Sequence, residues 1–564
     1  SSFFTGEEVM EKEKGYKFDY EEGNMEGAEF AIHAKKTIYT PDGQKDEAGN
    51  RIVKYEKDAL VARMVTDKEG KAVLNNLPIG KYYVVEEKAG QNCVLDPEAK
   101  EFEIAYKGQE VAVDYVTMEL TNQRQKVSLS LLKKDAETGK PLEGVVFGLY
   151  AQEDIKNAAG EVVVEKDALI ELGTTDEEGK LVFQADLPHG KYYIQEVEHK
   201  PGYLPNDEVY SFDASYTDQT LELLAFSEEI SNQPTITEFT KVDLTGGQEI
   251  EGAKMQILDQ EGKVVEEWVS KKEAHVVYAL APGEYILHEE QAPTEQGYVR
   301  AEDVKFVVEE TGDVQKVKME DDHTKVSISK TDITDGKEIE GAKLQILDQD
   351  GEVVESWTTG EEHLIEYLPI GTYTLHEEAA VDGYIVANDV EFTVEETGEI
   401  QKVKMEDERA MGQLVIVKTD TDSKAALEGV EFVLLEKETG KEVGRLKTGK
   451  DGKAVSELLP IGTYENGVFK EPITYVLKET ATLKGYEKTE EEWEIVFTYQ
   501  NDKTPVIEVV KEIQNKKIPE TPGTVKPGPK TGDDTNWFLP LLALGVSAGM
   551  VAGLLYYRKR HKKA

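Results

Sequence analysis

The chain has 564 residues, 39% of them hydrophobic, with 113 acidic against 65 basic side chains and a formal net charge of -48. That length exceeds what one core can serve and predicts about three to five domains. The acidic excess argues against nucleic-acid binding, which needs clustered Lys and Arg, and the apolar content argues against general disorder. A single cysteine, Cys93, permits no intrachain disulfide. The start at Ser1, SSFFTGEEV, carries neither an initiator Met nor a secretory signal. It reads as a processed or partial chain with an export signal, or an export signal and a functional head, upstream.

Five repeats follow in order, with expected boundaries 13–124, 125–233, 234–323, 324–409 and 410–517. The first two carry long polar excursions, around 33–60 and 151–170, before matching segments KDALVARMVTDKEG and KDALIELGTTDEEG. The third and fourth are near-copies, IEGAKMQILDQEG from Ile250 against IEGAKLQILDQDG from Ile339, a period of 89 residues. Short alternating runs bounded by Gly, Asp-Gly and Pro turns recur throughout, with no amphipathic helical period. That pattern predicts an all-β chain of antiparallel, Ig-like β-sandwiches in series. After Asn515 a Pro- and Gly-rich spacer covers 518–527. Residues 528–564 then hold an uncharged run of about twenty residues at 536–557, long enough to cross a bilayer as one helix, and a basic RKRHKK tail.

One box marks every repeat: LPIGKYYVVEEKA from Leu77, LPHGKYYIQEVEH from Leu187, LAPGEYILHEEQA from Leu280, LPIGTYTLHEEA from Leu368, and LPIGTYENGVFKEPITYVLKETA from Leu459. Each ends its strand on one glutamate: Glu86, Glu196, Glu289, Glu377 or Glu479. Strand side chains alternate between faces, so Glu377 shares the face of Leu375 and Tyr373, and Glu289 that of Leu287 and Tyr285. An acid on an apolar face is costly unless something there needs it. The same parity turns inward a lysine on each opening Lys-x-Asp strand: Lys17, Lys133, Lys241, Lys330 and Lys418. It also turns inward an Asn or Asp at the end of each closing strand: Asn122, Asn232, Asp321, Asp407 and Asn515.

An inert buried ion cluster is the plain alternative. Such groups stabilise weakly, because desolvation offsets their attraction, so five copies ask for another reason. In an apolar core, lysine is pushed toward the neutral amine and glutamate toward the acid. An amine beside a carboxamide or carboxylic acid is then a nucleophile facing an electrophile, with the Glu placed to shuttle protons. The product is an amide crosslink, with loss of ammonia from Asn or of water from Asp.

With its Lys-x-Asp strands, its GAEF, GVVF, GAKM, GAKL and GVEF segments and its Tyr-x-x-x-Glu box, the region from 17 to 517 resembles Cna B-type, or SpaA-like, prealbumin-fold domains. The resemblance implies intramolecular Lys–Asn or Lys–Asp isopeptide bonds of the kind found in Gram-positive surface adhesins and pilins. The expected pairs are Lys17–Asn122, Lys133–Asn232, Lys241–Asp321, Lys330–Asp407 and Lys418–Asn515, with Glu86, Glu196, Glu289, Glu377 and Glu479 as proton shuttles. The first repeat departs from the pattern: GQNCVL stands where the others carry Gly-Tyr after the box, and its Lys17 strand alternates poorly. GPKTG at 528–532 resembles the Leu-Pro-x-Thr-Gly motif of sortases, with Gly528 in the leucine position. This implies cleavage between Thr531 and Gly532, attachment of Thr531 to peptidoglycan, and a transient membrane anchor at 536–557.

His288 and His376 face outward beside their glutamates, and Asp348 to Gly351 reads as a hairpin turn, so no metal site and no cofactor is expected. Cys93 reads as a buried stand-in for tyrosine. Together these features predict a wall-anchored stalk or adhesin on the cell surface, with sortase and peptidoglycan as partners and no nucleic acid. A host matrix protein or glycan bound by the long loops of the first two repeats is a second reading. No Tyr-Pro-Lys tripeptide occurs, which argues against a shaft pilin and leaves a tip or base pilin as the alternative. The carboxylates are spread one per repeat rather than paired across a cleft, so no turnover enzyme is expected.

Overall fold

The computed structural model describes residues 2–8, 15–215 and 218–520. The sorting motif with Thr531 and Gly532, the span 536–557, the basic tail and all but the first residues of the spacer lie outside the described residues. Those described are almost entirely strand and turn. The one helical element among them is a single turn, Thr294–Gln296, and no helix there is long and apolar enough to cross a membrane.

The chain divides into two compact units. Among the described residues, the first holds the chain up to Thr331 with Ala342–Glu378 and Asn388–Glu406, and the second holds Asp332–Gly341, Ala379–Ala387 and the chain from Asp407 onward. In the first unit, repeat two shows the plan most plainly. One sheet orders Lys180–Val182, Lys126–Asp135 and Leu223–Asn232; the other orders Leu169–Thr174, Val146–Ala151, Lys191–Glu198 and Val209–Asp213. Alternation decides what each strand buries. On Lys126–Asp135, Val127, Leu129, Leu131, Lys133 and Asp135 are all inside, while Ser128 and Ser130 sit on the other face. Leu129, Leu131, Phe147, Leu149, Tyr192 and Ile194 fill the space between the sheets. Repeats three and four each build two four-stranded sheets, and repeat five, in the second unit, repeats the plan around Met411–Asp420 and Glu431–Glu436.

The expectation of purely antiparallel sandwiches needs a correction. The opening and closing strands of a repeat run parallel: Lys126–Asp135 with Leu223–Asn232, Ile236–Asp243 with Val314–His323, and Met411–Asp420 with Val506–Asn515. The intervening chain crosses to the facing sheet and re-enters at the end opposite the one it left, as a parallel pair requires.

Repeat one departs further. Its sheet of Leu60–Val65, Glu29–Ala34, Gly80–Lys88 and Lys100–Ile104 is present, but the opening strand is elsewhere. Lys17–Glu22 pairs with Ser2–Glu8, and Phe18 joins the core of repeat two with Tyr16 and Tyr20 beside it. The Tyr16 N–H donates to the Ile170 carbonyl at 2.8 Å. The segment 106–122, which should close the repeat, carries no strand.

Candidate functional site

Two backbone devices bring the three predicted side chains together. The first is the parallel register: Lys133 lies opposite Ile230 and Asp135 opposite Asn232, so Asn232 is one same-face step beyond Lys133. Lys241 and Asp321, and Lys418 and Asn515, hold the same offset. The second is a β-bulge directly after Glu86, Glu196, Glu289 and Glu479. Phe147 opposes Glu196 while its neighbour Val146 opposes Glu198. The shift recurs at Met255 and Glu289, at Phe432 and Glu479, and at Phe30 and Glu86. A bulge re-aims a strand locally, and here it lies beside the residue that ends the apolar run. The Phe or Met opposite is the last residue of the Gly-Ala/Val-x-Phe/Met segment, which gives that motif its place.

In repeat two, Lys133 is 0% exposed. Its Nζ donates to Asn232 Oδ1 at 2.5 Å, lies 3.0 Å from Glu196 Oε2 and sits over the Phe147 ring. The Asn232 amide donates to both Glu196 oxygens, at 3.0 and 2.9 Å, and the Asn206 N–H donates to Glu196 Oε1 at 3.1 Å. Repeat five matches: Lys418 bonds Asn515 Oδ1 and lies 3.2 Å from Glu479, and the Asn515 amide donates to Glu479 at 2.7 Å. In repeat three Lys241 meets Asp321 and lies 3.1 Å from Glu289, which accepts from the Ala301 N–H at 2.8 Å. In repeat four Lys330 lies 3.0 Å from Glu377 within the first unit. Asp407, in the second, is fully buried.

Burial sets the electrostatics. It holds the Lys133 and Lys418 ammonium groups below the ordinary lysine range, with Glu196 and Glu479 working against that shift. Burial pushes Asp321 up to about 7; Lys241 opposes the shift and Glu289 adds to it. A glutamate that touches both the amine and the carboxamide nitrogen can take a proton from one and hand it to the other.

Lys17 is the exception and a correction to its predicted inward position. Its side chain is 57% exposed and lies 3.7 Å from Asp19, because Phe18, not Lys17, is the buried residue of that strand. Asn122 and Glu86 do meet: the amide donates to Glu86 Oε2 at 2.6 Å and to the Val94 carbonyl at 2.7 Å.

A residue that parity did not single out completes the site. The tyrosine of Gly-Tyr reaches the aspartate of Lys-x-Asp: Tyr203 donates to Asp135 at 2.9 Å and Tyr384 to Asp332 at 2.8 Å, and Tyr486 bonds Asp420. In repeat three Asp243 accepts from Tyr367 at 2.7 Å as well as from Tyr298. The other oxygen of each aspartate caps the next turn, as Asp135 does for the Glu137 and Thr138 N–H groups. The signal was the recurrence of Gly-Tyr after every box but the first. There Cys93 is buried and bridges Arg124, as Tyr203 bridges Pro234 and Tyr486 bridges Lys517. Burial pushes the Cys93 thiol up, the direction of an inert side chain. His288 and His376 pair with Asp303 and Asp389, each at 2.7 Å, and no group of metal-ligating side chains occurs among the described residues.

Among solved structures the chain is similar to the Bacillus anthracis TIE protein, at 22% identity over 68% of this chain and 73% of that one, with a TM-score of 0.37. It is also similar to a streptococcal ancillary pilin (16% identity, 51% and 99% covered, TM-score 0.22). A third is the full-length major pilin SpaD of Corynebacterium diphtheriae (16% identity, 70% and 98% covered, TM-score 0.18). These likenesses concern fold alone. Comparison with curated proteins finds no match. The family model for the SpaA prealbumin-like fold domain matches residues 12–118, 127–226, 235–323, 324–409 and 412–472. The chain therefore belongs to the SpaA prealbumin-like domain family, as five such domains in tandem.

Proposed function

We propose that the chain is a structural stalk of a Gram-positive cell surface whose repeats two to five are closed by autocatalytic isopeptide bonds. One observation carries this reading: a buried lysine in direct contact with a carboxamide or carboxyl and with a glutamate, built the same way in repeats two, three and five. In repeats two and five the neutral amine of Lys133 or Lys418 attacks Cγ of Asn232 or Asn515. The Cγ–Nδ2 bond breaks, the glutamate carries the amine proton to Nδ2, and ammonia leaves. In repeat three Lys241 attacks the protonated Asp321 carboxyl and water leaves. Repeat four carries the same residue types, MEDE against MEDD, and is assigned the bond Lys330–Asp407 with Glu377 as shuttle. Each site acts once on itself, so the protein is not a turnover enzyme and needs no cofactor.

The C-terminal motif, apolar span and basic tail support covalent attachment of Thr531 to peptidoglycan by sortase after transient membrane insertion. Intact-mass measurement of the full chain tests the crosslinks. The expected result is two ammonia and two water molecules missing, localised by peptide mapping to the four lysines; a mass equal to the unmodified sequence rejects them.

A further inference from the structure

Repeat one holds an acceptor without its lysine. Glu86 is 5% exposed and already bonded to Asn122, as in the complete sites, but among the described residues no lysine lies against it as Lys133, Lys241, Lys330 and Lys418 lie against their glutamates. A cavity lined by Phe30, Val84, Glu86, Leu120 and Asn122 opens beside the pair. The lysine at its rim, Lys100, is held by Glu98 and Asp96 instead. The chain leading into Asn122, VAVDYVTMEL at 111–120, alternates like the closing strands of the other repeats. Among the described residues it has no strand partner, and it leaves Val113 57% and Tyr115 82% exposed. In every other repeat a Lys-x-Asp strand lies against that segment.

The chain also carries a donor that does not reach its own acceptor. Lys17-Phe18-Asp19 has the Lys-x-Asp spacing of the other opening strands. In place of repeat one it is docked against repeat two by Phe18, by the Tyr16 N–H bond to Ile170 and by Tyr20, which donates to the Asp186 carbonyl at 2.8 Å. No tyrosine latches Asp19 to repeat one, because Cys93 stands in that place.

We propose that the open side of repeat one receives the Lys17–Glu22 strand of a second copy of this chain, and that Lys17 of that copy forms an amide with Asn122. The step rests on the chemistry proposed above for repeats two to five. The Lys17 amine attacks Asn122 Cγ, the Cγ–Nδ2 bond breaks, Glu86 transfers the amine proton to Nδ2, and one ammonia leaves per junction. Donor and acceptor are different surfaces, so the contact is heterologous and extends from copy to copy.

The test uses the full chain on denaturing gels. Wild type is expected to run as covalent multimers containing a Lys17–Asn122 linked peptide. Lys17→Arg and Asn122→Ala are each expected to run as monomers alone, and to give a covalent dimer when mixed. Adding Glu86→Ala to the Lys17→Arg chain is expected to abolish that dimer. A wild-type chain that stays monomeric overturns the proposal, and a Lys17–Asn122 link within one monomer overturns it equally. The ammonia and water losses of repeats two to five, read in the same samples, report separately on the chemistry on which the proposal rests.

Discussion

At the scale of single residues, proton counts separate the two kinds of cluster. In repeat two, attack by a neutral Lys133 assisted by a protonated Glu196 needs one proton shared between those two groups, because the Asn232 carboxamide does not titrate. In repeat three, Lys241, Glu289 and Asp321 must hold two protons between them. Asp321, raised to about 7, loses its proton as the pH climbs past that value. Crosslinking of repeat three during refolding should therefore fall about tenfold for each pH unit above 7, while that of repeat two should not fall through the same range. Peptide mass mapping of chains refolded at a series of pH values checks this, and parallel pH profiles would contradict it. Glu196→Gln provides a second check. A carboxamide cannot relay the proton, so repeat two should fold with Lys133 and Asn232 unjoined and lose no ammonia. Loss of ammonia from that repeat in the variant would remove Glu196 from the role.

Among the strands, the tyrosine latch fixes where the Lys-x-Asp strand ends. Tyr203→Phe removes the side-chain donor to Asp135 Oδ2, and a hydrogen bond to a carboxylate contributes about 1.5–3 kcal/mol. In the uncrosslinked Glu196→Gln background, urea unfolding of repeat two should show a loss of that order; an unchanged midpoint would mean the latch is ornamental. How far these elements could be read beforehand follows from their range. The inward faces of Lys133, Glu196 and Asn232 were legible because alternation is a local property of each strand. The parallel pairing of the opening and closing strands was not, since it depends on a crossover that no short window contains. The bulges after Glu86, Glu196, Glu289 and Glu479 also escaped, because one extra residue leaves the local pattern nearly unchanged. Lys17 was misplaced for a related reason. Its strand has the right residues, but parity cannot say which core the strand joins, and Phe18 commits it to repeat two.

At the scale of the whole molecule, the proposed crosslinks would decide how the chain carries load. Lys133 and Asn232 are 99 residues apart in sequence, and closing a loop of that size stabilises by about 4.7 kcal/mol, on the analogy with a disulfide. Mechanically the consequence is larger. The two residues lie near the C-terminal ends of parallel strands in one sheet, so tension entering repeat two from its N-terminal side passes through the new amide and leaves just after Asn232. The residues between them are bypassed. A chain with one cysteine has no intrachain disulfide to do this, and the proposed amide would supply the same constraint in a form that reductants do not break. Stretching the full chain from its ends should therefore show no unfolding step from repeat two. Lys133→Ala should restore one, releasing a contour of about 330 Å at about 3.3 Å per residue, less the folded distance between the two positions. Identical force–extension traces for wild type and Lys133→Ala would mean that the bond is missing or carries no load.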